Sequence, residues 1–133
     1  MSDAVLAVLE ILMAAGLLGF WAYFFVVENR NPERSEVYLG FERSFPLPDL
    51  GWLAPCLIAS AVGVLKGLEF GYILSIAGGG ALIFLGLVDI AFNIRNRQYT
   101  TSAADGIMNA LINTSCIVLG PLFITAAAQR LTV

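Results

Sequence analysis

The sequence predicts an all-α polytopic membrane protein, an antiparallel bundle of four transmembrane helices. Hydrophobic residues make up 59% of the 133 residues and charged residues only 13%, whereas soluble domains carry roughly 25% charged residues. A soluble chain of this length could not bury so much apolar surface, because small globules remove only about two-thirds of it from water. The chain reads as a single four-span domain, with spans at about 4–27, 50–68, 72–94 and 107–128.

The first span, residues 4–27, contains one charged residue, Glu10. As a helix its 24 residues measure about 36 Å, enough to cross a hydrocarbon core of about 30 Å. The polar segment 28–49 follows, with five acidic residues and three arginines. Its aromatic residues favour the depth of the lipid headgroups, so this segment is predicted to be an interfacial loop.

The second span is predicted to start after two prolines, Pro46 and Pro48, which should end any preceding helix. Asp49 is then expected to cap the second span, residues 50–68, because an aspartate oxygen can accept a free backbone N–H at a helix start. Gly67 and Gly71 bracket a short connection, which predicts a tight antiparallel hairpin between the second and third spans.

The third and fourth spans carry the sequence signals for close packing and for a kink. Gly78, Gly79 and Gly80 lie in the third span, 72–94, and should let a neighbouring backbone approach closely. Asp105 is expected to cap the fourth span, 107–128. Within that span, Pro121 removes a backbone hydrogen bond and predicts a kink.

The arginines predict the orientation in the membrane. Loops 28–49 and 95–106 contain five of them, against Lys66, Arg130 and the terminal amine on the other side. Positively charged residues favour the cytoplasmic side. Both loops are therefore predicted to be cytoplasmic and both termini external, in the plasma membrane.

Four polar residues are predicted to converge inside the membrane. Asp89 and Asn93 are four residues apart and share one helix face, as do Asn109 and Asn113. In antiparallel neighbouring spans the two pairs lie at a similar depth, so one carboxylate and several amide oxygens could bind a cation or a polar solute. The alternative is that these groups only hold the helices or subunits together.

Glu10 is the other intramembrane acid, and two interpretations stay open for it. An ion pair with Lys66, which is predicted on the same side, would neutralise both charges. Alternatively, Glu10 is a titrating carboxylate at the outer entrance of a proton- or cation-coupled pathway.

Several classes of site are excluded by what the sequence lacks. Histidine is absent, which removes histidine-ligated haem and histidine zinc sites. Cys56 and Cys116 are sixty residues apart and are predicted to be buried free thiols. No hydrolase, nucleotide-binding or zinc-protease motif occurs, no cofactor is expected, and the charge pattern does not suggest nucleic-acid binding.

Two functional hypotheses remain. One is a channel or transporter for an ion or small polar solute, with Asp89, Asn93, Asn109, Asn113 and Glu10 lining the site. The other is a non-catalytic accessory, lipid-binding or assembly subunit. Four spans enclose little volume, so a homo-oligomer or a membrane-protein partner is expected in either case, and an enzymatic role is disfavoured. A site that opens onto water favours transport, and a dry, paired site favours the partner role.

Overall fold

The computed structural model describes residues 1–132 and is all-helical. Four helical segments are long and apolar enough to cross a membrane: Asp3–Arg30, Glu36–Leu65, Glu69–Arg95 and Ala103–Leu131. These segments contain the four predicted apolar stretches apart from the last few residues of the second. The all-helical fold with four candidate membrane-spanning helices is therefore confirmed.

The chain divides into two compact units, Met1–Leu74 and Ser75–Val133. In the first unit, helix α1 spans Asp3–Val26, and the Ser2 side chain caps its start by accepting a hydrogen bond from the backbone N–H of Val5. Its buried residues recur every three or four positions, which gives one continuous packing face. They are Leu6, Ala7, Glu10, Ala14, Leu17, Trp21 and Phe24.

The segment after α1 is more helical than the sequence predicts. A 3-10 turn at Glu28–Arg30 is followed by α2 (Glu36–Glu42), α3 (Pro46–Pro48), a π-helical turn (Asp49–Leu53) and α4 (Ala54–Leu65). Helix α2 does end before the two prolines, at Glu42, but the helical stretch that leads into α4 begins at Pro46 and not after Pro48. Pro46 occupies a first-turn position of α3, where a missing N–H costs no helical hydrogen bond.

The predicted cap of the second span is wrong. No side chain caps α4, because the chain enters it through helical turns that already supply backbone acceptors. The Asp49 carboxylate instead accepts a hydrogen bond from another helix, the Trp21 indole of α1.

The connection between α4 and α5 (Glu69–Arg95) is short, as predicted. Gly67 makes the turn at a φ of +65°, a conformation that glycine adopts without a Cβ clash. Beyond the turn the two backbones come very close, since a Cβ on Gly63 would lie 2.6 Å from the Gly71 Cα. Gly71 thus belongs to the helix packing and not to the connection itself.

In the second unit, α5 is followed by a 3-10 turn at Gln98–Thr100 and by α6 (Ala103–Leu131). The expectation that Asp105 caps α6 is wrong: Ser102 is the cap, and its Oγ accepts the backbone N–H of Asp105. Helix α6 continues through Pro121 without a break.

The predicted close approach at the glycine run is confirmed for Gly79. A Cβ there would lie 2.6 Å from the carbonyl oxygen of Gly120 in α6. Gly79 of α5 and Gly120 of α6 thus form one contact between the two helices. Seven residues further along α5, Gly86 lies against Cys116 of α6. From the first contact to the second, residue numbers increase along α5 and decrease along α6.

Candidate functional site

Glu10 lies on the packing face of α1 and is completely buried. Its Oε1 is 2.8 Å from the hydroxyl of Ser60 in α4. That hydroxyl is also 2.8 Å from the backbone carbonyl oxygen of Gly71 in the first turn of α5. One serine therefore links three helices of the first unit.

The structure does not bring Lys66 into an ion pair with Glu10. Lys66 follows the end of α4 and is exposed, whereas Glu10 is completely buried. Sequence reasoning missed the contact of Glu10 with Ser60, because an isolated serine in an apolar stretch carries no distinctive signal.

A second buried polar contact joins α1 to the π-helical turn. The Trp21 Nε1–H donates to Asp49 Oδ2 over 2.9 Å, and both side chains are buried. The Trp21 indole is thus a specific donor to a carboxylate inside the first unit.

Glu28 is the centre of a third cluster, at the end of the first helical segment. Arg34 Nη2 donates to Glu28 Oε1 over 2.9 Å, and Arg34 Nε lies 2.6 Å from Glu28 Oε2 in an ion pair. The hydroxyls of Tyr23 and Tyr38 donate to the same carboxylate at 3.1 and 3.4 Å. The Arg34 guanidinium also lies 5.0 Å from the centre of the Tyr38 ring. Glu28 is therefore a heavily bonded structural acid.

In the second unit, the predicted polar residues make hydrogen bonds within α5 and between α6 and the connecting turn. Asn93 Nδ2 donates to Asp89 Oδ2 over 3.2 Å, along one face of α5 as predicted from their spacing. On α6, Asn109 and Asn113 bond to the connecting turn: Asn109 Nδ2 is 3.5 Å from the Gln98 carbonyl, and Asn113 Nδ2 is 2.6 Å from the Tyr99 hydroxyl.

Tyr99 was not singled out in the sequence, yet it reaches deepest from the turn. Its backbone carbonyl lies against Gly106, and its hydroxyl meets Asn113, seven residues or about 10.5 Å further along α6. The Tyr99 side chain thus lies along α6.

Asn93 and Asn113 follow the spacing of the residues at which α5 and α6 meet. Gly79 and Gly86 contact α6, and Asn93 lies seven residues beyond Gly86 on α5. On α6, Asn113 lies one turn before Cys116, which contacts Gly86. Asn93 and Asn113 are 1% and 3% exposed. The amide oxygen of Asn113 is buried and has no hydrogen-bond partner among residues 1–132.

Cys56 and Cys116 are both buried thiols outside any disulfide, as predicted. No group of three or more Cys, Asp or Glu side chains that could hold a metal ion occurs among the described residues. Comparisons of the chain with protein-family models, curated proteins and solved structures find no match.

Proposed function

We propose that the chain is a four-span integral membrane protein that acts as a non-catalytic partner, an accessory or assembly subunit bound to a second copy or to another membrane protein. One observation supports this most strongly. The buried polar side chains bond to each other or to nearby backbone inside each unit, as at Glu10 with Ser60 and Asp49 with Trp21. Such contacts stabilise helix packing, and paired polar groups favour the partner role.

In the proposed arrangement the protein lies in the plasma membrane and its spans are antiparallel. Loops 28–49 and 95–106 face the cytoplasm. Two features support it: the three-residue connection between α4 and α5, and contacts between α5 and α6 that run in opposite directions. Large apolar side chains remain exposed along all four segments, available to lipid and to a partner's helices.

Cross-linking in the native membrane, followed by mass determination of the tagged chain, tests the partner role. We expect a defined species heavier than the 14.3 kDa monomer. A mass that is a multiple of the monomer identifies a homo-oligomer, and any other mass identifies a different partner. A monomer at every cross-linker dose would contradict the proposal.

One observation favours a second function, a channel or transporter for an ion or small polar solute. The buried amide oxygen of Asn113 has no hydrogen-bond partner among residues 1–132, and the Asp89 carboxylate belongs to the adjoining stretch of α5. Carboxylate and amide oxygens are ligands for hard cations. A bound cation would complete the bonding of Asn113 and balance the charge of Asp89.

Thermal unfolding of the wild type and of Asp89→Asn, in sodium, potassium and bulky organic cation salts, separates the two functions. A ligand that binds only the folded state raises its stability. The partner proposal predicts the same salt response from both proteins. Stabilisation of the wild type alone by one small cation would favour the transport function.

A further inference from the structure

Ser60 holds two oxygen acceptors at the same short distance. Its Oγ is 2.8 Å from Glu10 Oε1 and 2.8 Å from the Gly71 carbonyl oxygen. Both distances are the usual length of an O–H···O hydrogen bond. Ser60 and Glu10 are fully buried, so bulk water does not supply either bond.

The number of hydrogens decides how these bonds run. A serine hydroxyl has one hydrogen to donate, and a backbone carbonyl has none. If Ser60 donates to an ionised Glu10, its oxygen faces the Gly71 carbonyl oxygen with no hydrogen between them. If Ser60 donates to Gly71, the hydrogen between Ser60 and Glu10 has to come from Glu10. Only the second arrangement satisfies both contacts.

We propose that Glu10 is a neutral carboxylic acid in the folded protein and donates its proton to Ser60. The bonds then run in one direction, from the Glu10 acid in α1 through the Ser60 hydroxyl in α4 to the Gly71 carbonyl in α5. The site is a proton-binding site, and the proton is the ligand that closes the link between three helices. The proposal holds whether or not the chain transports anything.

The surroundings of Glu10 are consistent with an uncharged group. Lys66, the nearest basic residue in the sequence on the predicted outer side, is exposed. A neutral carboxylic acid at this position avoids the cost of burying a charge.

Infrared spectroscopy of the full chain in lipid at neutral pH tests the proposal, because a carboxylic acid and a carboxylate absorb at different frequencies. Wild-type protein made with carboxyl-13C glutamate should show an acid C=O band that shifts with the label. Glu10→Gln should remove this band, and Ser60→Ala should move it to higher frequency by removing the acceptor. An acid band that Glu10→Gln leaves in place, or no labelled acid band at all, would overturn the proposal.

Thermal unfolding provides the second readout. The amide of Gln can donate to Ser60 in place of the acid, so Glu10→Gln should unfold within a few degrees of the wild type. Glu10→Ala lacks the donor and should unfold clearly earlier. The search for a labelled acid band uses the wild-type protein. This measurement can therefore be made even if one of the variants fails to fold. A band that does not move in folded Ser60→Ala would rule out the link through Ser60.

Discussion

Trp21 illustrates how a single side chain acquires a role that its residue type does not reveal. The chain has two tryptophans. Trp21 is 2% exposed and donates to the buried Asp49, whereas Trp52 is 50% exposed. Aromatic residues near a span end favour the membrane interface, and residue type alone does not distinguish the two tryptophans. The two tryptophans differ in burial and hydrogen bonding because Trp21 faces Asp49 of another element. The composition of the sequence around each tryptophan does not reveal such a partner.

Replacement of Trp21 by Phe should destabilise the protein through this contact. The change keeps an aromatic ring and removes the N–H, so Asp49 loses a buried donor. We expect a loss of about 1–3 kcal/mol, the usual cost of leaving a buried acceptor unsatisfied. Thermal or denaturant unfolding in detergent measures it.

Trp52→Phe is the matched control, with the same chemical change at a half-exposed position. It should leave the free energy of unfolding nearly unchanged. Equal losses in the two variants would show that the Trp21–Asp49 hydrogen bond contributes little.

At the scale of elements, apolar length predicted the helices well, and local signals predicted their ends poorly. Both the Asp49 and Asp105 caps were wrong. For α6 the cap lies three residues earlier, at Ser102, a residue type equally suited to capping. For α4 the chain was already helical before Asp49. A cap signal marks where a helix can begin, and tertiary contacts determine which of several such positions is used.

Neighbouring glycines of α5 should respond in opposite ways to alanine. A Cβ on Gly79 meets the Gly120 carbonyl oxygen at 2.6 Å, and a Cβ on Gly80 meets nothing within 4 Å. Gly79→Ala should therefore cost about 1–3 kcal/mol through overpacking. Gly80→Ala should be neutral or stabilising by up to about 1 kcal/mol, because alanine favours the helix.

The unfolding temperatures of these two variants in the same detergent provide the measurement. Because the two substitutions are at adjacent positions of the same helix, the two variants differ in little besides the contact made by the added Cβ. If Gly79→Ala were as stable as Gly80→Ala, the close approach of α5 and α6 would be excluded.

At the scale of the whole molecule, the sequence predicted the four apolar segments because their length and composition alone specify them. It predicted the pairing of Asp89 with Asn93, which are on one helix. It did not predict the partners of Glu10, Asp49 or Asn113, because these lie on elements that only the fold brings together. Contacts within one helix follow from its periodicity, whereas contacts between helices depend on rotation and register.

Single cysteines placed in the two arginine-bearing loops test the proposed topology. Ser35 and Ser102 are helix caps, so Glu33 and Ala103, both exposed, are better sites. In a background with Cys56 and Cys116 replaced by alanine, both new thiols should resist a membrane-impermeant reagent in intact cells and react after permeabilisation. Labelling of both in intact cells would reverse the orientation, and labelling of one would contradict four antiparallel spans.

Ion flux through proteoliposomes is the most direct measurement of the central claim, that the buried polar groups hold the helices together and do not form a conduction path. Purified wild type and Asp89→Asn are reconstituted at equal density, and sodium, potassium and proton flux are compared with empty liposomes. We predict that neither protein raises the flux of any of the three ions above the empty control. A saturable flux in the wild type that Asp89→Asn abolishes, while it folds and inserts equally well, would contradict the account.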